Sequence, residues 1–220
     1  MIQLLLIRHG QSANNALPEH QRVCDPGLTD LGVQQAALTA AALRNVPFSG
    51  LYCSPFLRSL ETMRPLAEAV QMSVSIRADL FEQGGCYSGH LPGEERGEAG
   101  MSRSELIQRY PQWQVDQRIG HSGWWGQPYE LLAQATQRAE CVVRWLHEQL
   151  LPQGGIHALV IHADFKRLLL AALFAENASR IMPSIGPLHN TGVTRLAWAE
   201  NHWQLQCFNA TTHLPFEYVT

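Results

Sequence analysis

The sequence predicts an α/β fold, a three-layer α/β/α sandwich with a mostly parallel central sheet, and three observations carry that prediction. An apolar run, Leu4-Leu5-Leu6-Ile7, stops abruptly at Arg8-His9-Gly10, as a parallel strand buried on both faces does. A second apolar run at 156–161 ends the same way, in His162. Stretches with helical spacing lie between and after them, and strands alternating with helices of this length imply right-handed crossovers covering both faces of one sheet.

The remaining elements follow in order. Residues 29–44, rich in Ala, Leu and Gln, predict a helix with Thr29 or Asp30 as its N-cap. Residues 50–53 predict a short strand. Ser54-Pro55 then offers a capping residue followed by proline at the first helical position, opening a helix to about residue 70 with Arg58 in its first turn. The β-branched stretch at 72–76 predicts another strand. From 77 to 100 the pattern breaks into Gly, Pro, Glu and Ser, too long for a passive connection and suited to a functional loop.

Ser102-x-x-Glu105 is a capping-box signature for a short helix ending near Tyr110-Pro111. An irregular aromatic stretch occupies 113–125, and Pro128 opens a helical pattern to about residue 151. A helix over 164–175 follows His162, and strands at 192–199 and 203–208 predict an antiparallel hairpin around Glu200-Asn201. The expected organisation is one domain over 1–220, with a substrate-facing insertion at about 77–127 lying over the strand ends.

Composition excludes several functions. With 45% apolar and 16% charged residues, the chain suits a well-packed globule and not extended disorder. A net charge of -3 carries no basic signature, so no nucleic-acid partner is expected, and an anionic small molecule needs a local basic pocket. Cys24, Cys53, Cys86, Cys141 and Cys207 are scattered without a C-x-x-C pair, which predicts neither disulfide framework nor zinc knuckle and points to a reducing, cytoplasmic setting. The apolar start is too short for a signal-peptide core, and no stretch approaches membrane-spanning length, so no membrane partner is expected. No histidine pair has helical metal-ligand spacing; neither a metal nor a cofactor is expected. No pattern specifies an oligomeric state.

Open α/β sheets bind ligands at the carboxyl ends of their strands. There an imidazole can attack an electrophile, a guanidinium can hold an anion, and glycine lets backbone approach the bound group. Phosphoryl transfer through histidine uses all three. Both imidazoles share one edge if the strands ending in His9 and His162 are parallel neighbours. A satisfied core histidine is the competing reading of His162, and an exposed helical arginine that of Arg58. First-turn placement favours the functional reading of Arg58, because the helix N-terminus there also attracts an anion.

These segments occur in a set order: Arg8-His9-Gly10-Gln11-Ser12-x-x-Asn15, Leu28-Thr29-x-x-Gly32-x-x-Gln35-Ala36, Ser54-Pro55-x-x-Arg58-x-x-x-Thr62, Leu80-x-Glu82, then His162. The set resembles the histidine phosphatase superfamily, in its phosphoglycerate mutase-like branch, over nearly the whole chain. The resemblance implies a phosphoglycerate mutase-like fold and a metal-independent phosphomonoesterase that forms a phosphohistidine on His9. Arg8, Arg58 and His162 would surround the phosphoryl oxygens, Asn15 would add a neutral donor, and Glu82 would protonate the leaving alkoxide. Asp79, Glu94 and Glu95 are rival carboxylates in the same loop. Tyr87 and Arg103, in the variable substrate-facing region, are candidates to bind a second anionic or sugar group of a small phosphorylated substrate.

Two other functions compete with hydrolysis. The family's glycolytic mutases carry a Glu-Arg-x-Tyr-Gly element near the acid, whereas this chain has Glu82-Gln83-Gly84-Gly85, which favours hydrolysis. Retention of Arg8, His9, Arg58, Glu82 and His162 together argues against a non-catalytic phosphate-binding scaffold. One departure stands out, because the family usually has glycine after its second histidine and this chain has His162-Ala163-Asp164. Asp164 is expected to cap the following helix and point away from the phosphate; the alternative is that it meets a cationic or hydroxyl-bearing part of the substrate.

Overall fold

The computed structural model describes residues 1–220, with every side chain except that of Glu176. The strands are β1 (Ile2–Arg8), β2 (Phe48–Cys53), β3 (Val74–Ile76), β4 (Tyr87–Ser88), β5 (Arg96–Gly97), β6 (Gln114–Val115), β7 (Gly155–Ile161), β8 (Val193–Ala199) and β9 (His202–Ala210). The helices are α1 (Ala13–Ala16), α2 (Asp30–Leu43), α3 (Leu57–Val70), α4 (Arg103–Arg109), α5 (Leu132–Trp145), α6 (Ala163–Phe174) and α7 (Ala178–Ile181). Seven strands form the central sheet in the order β6-β3-β2-β7-β1-β8-β9, and β4 with β5 makes a separate ribbon. The β6, β3, β2, β7 and β1 neighbours run parallel, while β8 and β9 add an antiparallel edge.

Side-chain alternation along β1 builds both layers. Leu5 and Ile7 join a core with Leu60, Met63 and Leu66 of α3, while Ile2, Leu4 and Leu6 join the opposite core with Val142 of α5 and Phe165, Leu169 and Leu170 of α6. This is the expected α/β/α sandwich. Among the described residues, no helix is long and apolar enough to cross a membrane.

Three start signals act differently from expectation. Pro55 precedes its helix, because Phe56 is the N-cap and α3 begins at Leu57, whose N–H donates to Asp25 from another loop (2.9 Å). Pro128 also lies ahead of α5; the intervening chain pairs with the loop bearing Glu82, through the Glu130 N–H to the Gly84 carbonyl (3.1 Å). Asp164 does not cap α6. His162 is the N-cap, and the carboxylate of Glu82 accepts the N–H of Phe165 (2.8 Å) and of Asp164 (3.3 Å). Strand β6, too short to show a period, emerges from the aromatic stretch and extends the sheet beyond β3. The hairpin turn is as expected: Glu200 and Asn201 take φ of 53° and 61°, which suits a tight antiparallel connection.

Candidate active site

Parallel pairing puts Arg8 opposite Ile161, so the residues after them, His9 and His162, leave the sheet at one level. Their rings lie 5.0 Å apart, centre to centre. His9 is held by its main chain, donating to the Ile161 carbonyl (2.9 Å) and accepting from the Asn190 side-chain amide (2.9 Å). The next residue is glycine for a steric reason: a Cβ at Gly10 would stand 2.7 Å from the Gly32 carbonyl oxygen where the loop crosses α2. Thr62 then ties this loop to α3, accepting from the Gly10 N–H (2.9 Å) and donating to the Arg58 carbonyl (2.6 Å).

Hydrogen bonding gives the two imidazoles different tasks. His9 Nδ1 sits 2.7 Å from the Gly10 carbonyl oxygen, which accepts its proton, so Nε2 carries the lone pair. Arg58 Nε donates to that Nε2 (3.2 Å). In His162 the other nitrogen is engaged: Nε2 lies 2.8 Å from Ser54 Oγ and 3.3 Å from Ser59 Oγ. Ser54 Oγ also accepts from the Phe56 N–H (3.3 Å); in the tautomer in which it donates to His162 Nε2, the imidazole proton resides on Nδ1, which is buried without a partner. Arg8 Nη1 donates to the Leu188 carbonyl (2.6 Å), and its Nε is likewise buried and unpartnered.

Electrostatics reinforce this division. Burial, then Arg58 and Arg8, push His9 well below the ordinary histidine range, so its ring is neutral and its Nε2 unprotonated. Burial, Arg58 and His9 do the same to His162. Burial raises Asp25 to about 6 although Arg58 opposes the shift, so this carboxyl near the start of α3 titrates close to neutrality.

Glu82 hangs over these strand ends because its two predecessors dock on opposite sides of the sheet. Leu80 belongs to the core with α6 and Phe81 to the core with α3. Arg138 of α5 pins the same loop, donating from Nη1 to the Asp79 and Phe81 carbonyls (2.9 and 3.0 Å). It holds the buried Glu130 carboxylate through two more bonds (2.8 and 2.6 Å), and its guanidinium stacks 3.6 Å from Phe81 and 4.0 Å from Phe165. After Glu82 the chain turns sharply at Gly84 (φ 95°), where a Cβ would stand 2.6 Å from the Tyr129 ring. Burial first, then the neighbouring Asp164 carboxylate, raise Glu82 above the usual carboxylate range. A carboxyl whose hold on a proton is strengthened and a neutral imidazole therefore share one site.

A cavity of about 280 Å³ is lined by Arg8, His9, Asn15, Arg58, Glu82 and Tyr87, uniting six of the expected residues. His162 packs behind it against His9 and Phe56. Arg103 is not part of this wall: its guanidinium donates to the Val115 and Asp116 carbonyls (3.0 and 2.8 Å), fastening α4 to β6. Its charge and loop context suggested a ligand, but backbone carbonyls take its donors. The rival Asp79 is bound by Arg77 and Arg118 (2.7 and 2.9 Å), and Glu94 and Glu95 line a different depression on the β4–β5 ribbon. Trp124 is core, packed on Phe56 at 4.6 Å.

Sequence reasoning missed Asn14, Arg22, His90 and Tyr129, which complete the wall. Asn14 sits on the one-turn helix α1 and the other three on irregular segments, all too short to show a period, and no local signal marks them. Asp164 also lines the cavity, contrary to the expectation that it points away.

The family description that matches this chain is the histidine phosphatase superfamily (branch 1), over residues 4–211. The chain belongs to that superfamily. It is 30% identical over 113 residues to phosphoserine phosphatase 1 of Hydrogenobacter thermophilus, covering 51% of this chain and 48% of the relative. It is 29% identical over 120 residues to a 2,3-bisphosphoglycerate-dependent phosphoglycerate mutase of Thermoplasma acidophilum, covering 48% of this chain and 60% of the relative. The chain thus spans about half the length of the curated relatives it matches. Among solved structures, a variant phosphoserine phosphatase from Entamoeba histolytica in complex with phosphoserine superposes with a TM-score of 0.67 at 23% identity, covering 98% of this chain and 100% of that one. A mycobacterial glucosyl-3-phosphoglycerate phosphatase with VO3 gives 0.66 at 21% identity, covering 96% and 100%. Both structural likenesses concern the histidine phosphatase fold.

Proposed function

We propose that the protein is a metal-independent phosphomonoesterase acting on a small phosphorylated substrate through a phosphohistidine on His9. The observation that carries this reading is the neutral His9 ring, its Nδ1 bound to the Gly10 carbonyl and its unprotonated Nε2 accepting from Arg58 Nε, which turns to the phosphoryl oxygens as Nε2 attacks, in one cavity with a carboxyl raised above its usual range.

The chemistry balances in two steps. His9 Nε2 forms a bond to phosphorus as the ester P–O bond breaks, and the Glu82 carboxyl gives its proton to the departing oxygen. Glu82, now a carboxylate, takes a proton from water as the water oxygen attacks phosphorus. The N–P bond then breaks, the electron pair returns to Nε2, and inorganic phosphate leaves. Arg8, Arg58, the Asn15 amide and the His162 Nδ1–H are the donors for the phosphoryl oxygens, and this transfer depends chiefly on positioning and on charge stabilisation at those oxygens. The buried, unpartnered Arg8 Nε and His162 Nδ1 support that role. Tyr87 contributes to the wall on the substrate side.

Phosphoglycerate mutase activity is the second reading, because one relative bears that name. The sequence after Glu82 favours hydrolysis over it. The test is hydrolysis of an aryl phosphate in the presence of a chelator: wild type is active and His9→Ala is not. Chelator-sensitive turnover, or turnover that survives in His9→Ala, overturns the proposal.

A further inference from the structure

Asp164 is out of place in a cavity built for an anion. Its side chain is exposed and lines the cavity that holds Arg8, Arg58 and His9. Among the described residues no cation lies within ion-pair distance of it, whereas Arg22, across the same cavity, already has Glu19 at 3.6 Å and donates to the Asn14 carbonyl (3.1 Å). The expected alternative occupation, capping α6, belongs to His162 and Glu82. A carboxylate beside a bound phosphate weakens its binding through like-charge repulsion unless something positive or hydrogen-bond-donating lies between them.

Position says what that something belongs to. The Asp164 N–H is bonded to Glu82 Oε2 at 3.3 Å, so Asp164 stands beside the group assigned to protonate the leaving oxygen. A leaving group held next to Glu82 therefore lies near residue 164, whose side chain lines the same cavity. Tyr129 lines the same cavity and packs against Tyr87 at 4.9 Å. The small cavity suits a leaving group of a few heavy atoms beyond the phosphoryl group.

We propose that Asp164 sets specificity by accepting a cationic amino group on the alcohol part of the substrate, so that phosphorylated amino alcohols are preferred and esters carrying a carboxylate near the phosphate are rejected. The inference rests on the hydrolytic reading of the site, since it takes the leaving group's position from Glu82. It concerns the leaving group alone and leaves the phosphoryl pocket as described.

Three two-carbon phosphomonoesters of nearly equal size test it: O-phosphoethanolamine, 2-hydroxyethyl phosphate and 2-phosphoglycolate. Wild type is expected to follow that order in kcat/KM, with about tenfold or more between the first and last, the scale of one charge–charge interaction near the protein surface. Asp164→Asn should bring the ratio to within about threefold, and Asp164→Lys should reverse it. Because ratios are compared at one pH, any change in Glu82 acidity caused by the substitution affects all three esters alike.

The same compounds titrated calorimetrically into His9→Ala, which cannot turn them over, must show the same order of affinity, and its loss in His9→Ala/Asp164→Asn. A flat profile in wild type, or a preference that survives in Asp164→Asn, overturns the role of Asp164. Failure of the hydrolytic reading has a different signature, the absence of His9-dependent turnover of any ester, and the calorimetric order still decides the Asp164 question.

Discussion

The floor and the roof of the cavity are made in different ways. The floor, with Arg8 and His9 and with His162 packed behind it, is the end of two paired strands, so the backbone ladder that binds β1 to β7 also sets the distance between the imidazoles. The roof, carrying Glu82, has no such ladder. It is fastened by long-range side-chain contacts: Arg138 to two carbonyls and to Glu130, Glu82 itself to the start of α6, and Leu80 and Phe81 sunk into opposite cores. A floor of this kind is rigid because the sheet is, whereas such a roof can be loosened one side chain at a time.

Substitutions sharpen this contrast, beginning with the roof's acid. Glu82→Gln should lower kcat/KM, which reports phosphoenzyme formation, for an alkyl phosphate by about 10²–10⁴-fold, yet lower it far less for an aryl phosphate whose leaving group needs little protonation. A uniform loss in kcat/KM across leaving groups would show that Glu82 does not protonate the leaving oxygen. The pH profile carries the same information. The acid form is the competent one in the first step, so raising Glu82 above the usual carboxylate range extends activity upward in pH; kcat/KM for an alkyl phosphate falls as pH climbs through the Glu82 titration. Glu82→Gln should erase that falling limb.

On the floor, Arg58→Met should cost about 10²–10³-fold in kcat for good and poor leaving groups alike, because it removes a donor to the phosphoryl oxygens rather than to the leaving oxygen. Comparing its leaving-group dependence with that of Glu82→Gln separates floor from roof kinetically. Arg138→Met attacks the roof indirectly. It should reduce kcat about tenfold or more through a displaced Glu82, steepen the leaving-group dependence, and destabilise the protein by about 3 kcal/mol by leaving the Glu130 carboxylate buried without its partner. Urea unfolding gives the stability and steady-state assays give the rest; a stability loss with unchanged kinetics would remove Arg138 from the account of Glu82 placement.

Much of the floor was legible in the sequence because a buried parallel strand and its terminal residue are contiguous: Leu4 to Gly10, and the run ending at His162, announce both location and chemistry. Arg58 was legible through its helix start, although the start itself lies later than Ser54-Pro55 suggests, since Ser54 bonds His162 and Asp25 accepts the first helical N–H. The roof was legible only at Glu82. Asn14, on the one-turn α1, and Arg22, His90 and Tyr129, on irregular chain, reach the cavity from segments whose course depends on tertiary contacts. Asp164 misled because a carboxylate in the first turn looks like a cap, when Glu82, distant in sequence, caps that helix instead. Arg103 misled for the converse reason, since a cation in a variable loop suggests a ligand while this one satisfies two carbonyls of its own chain.

The smallest expected effect lies beneath the floor. Lys166 of α6 is fully buried, donates to the Gly192 carbonyl at 3.0 Å, and is pushed down to about 7 by burial and then by Arg8. Between that value and the ordinary lysine range the unfolded chain holds a proton that the folded protein does not, so stability should rise with pH across the interval, the full penalty being felt below it. Lys166→Met should remove this slope and stabilise the protein near pH 7 by on the order of 2 kcal/mol, with little change in kcat. A thermal-unfolding series in pH for both proteins checks it, and an unchanged slope would show that Lys166 keeps its proton when folded.

The most direct test of the central claim is to quench the protein during turnover of a phosphomonoester labelled on phosphorus and locate the label. The account predicts an acid-labile, alkali-stable phosphoenzyme on Nε2 of His9, absent from His9→Ala and accumulating in Glu82→Gln with an aryl phosphate, where formation still proceeds but activation of water is impaired. Label on another side chain, or steady turnover by wild type with no phosphoenzyme under conditions where Glu82→Gln also fails to accumulate one, would contradict it.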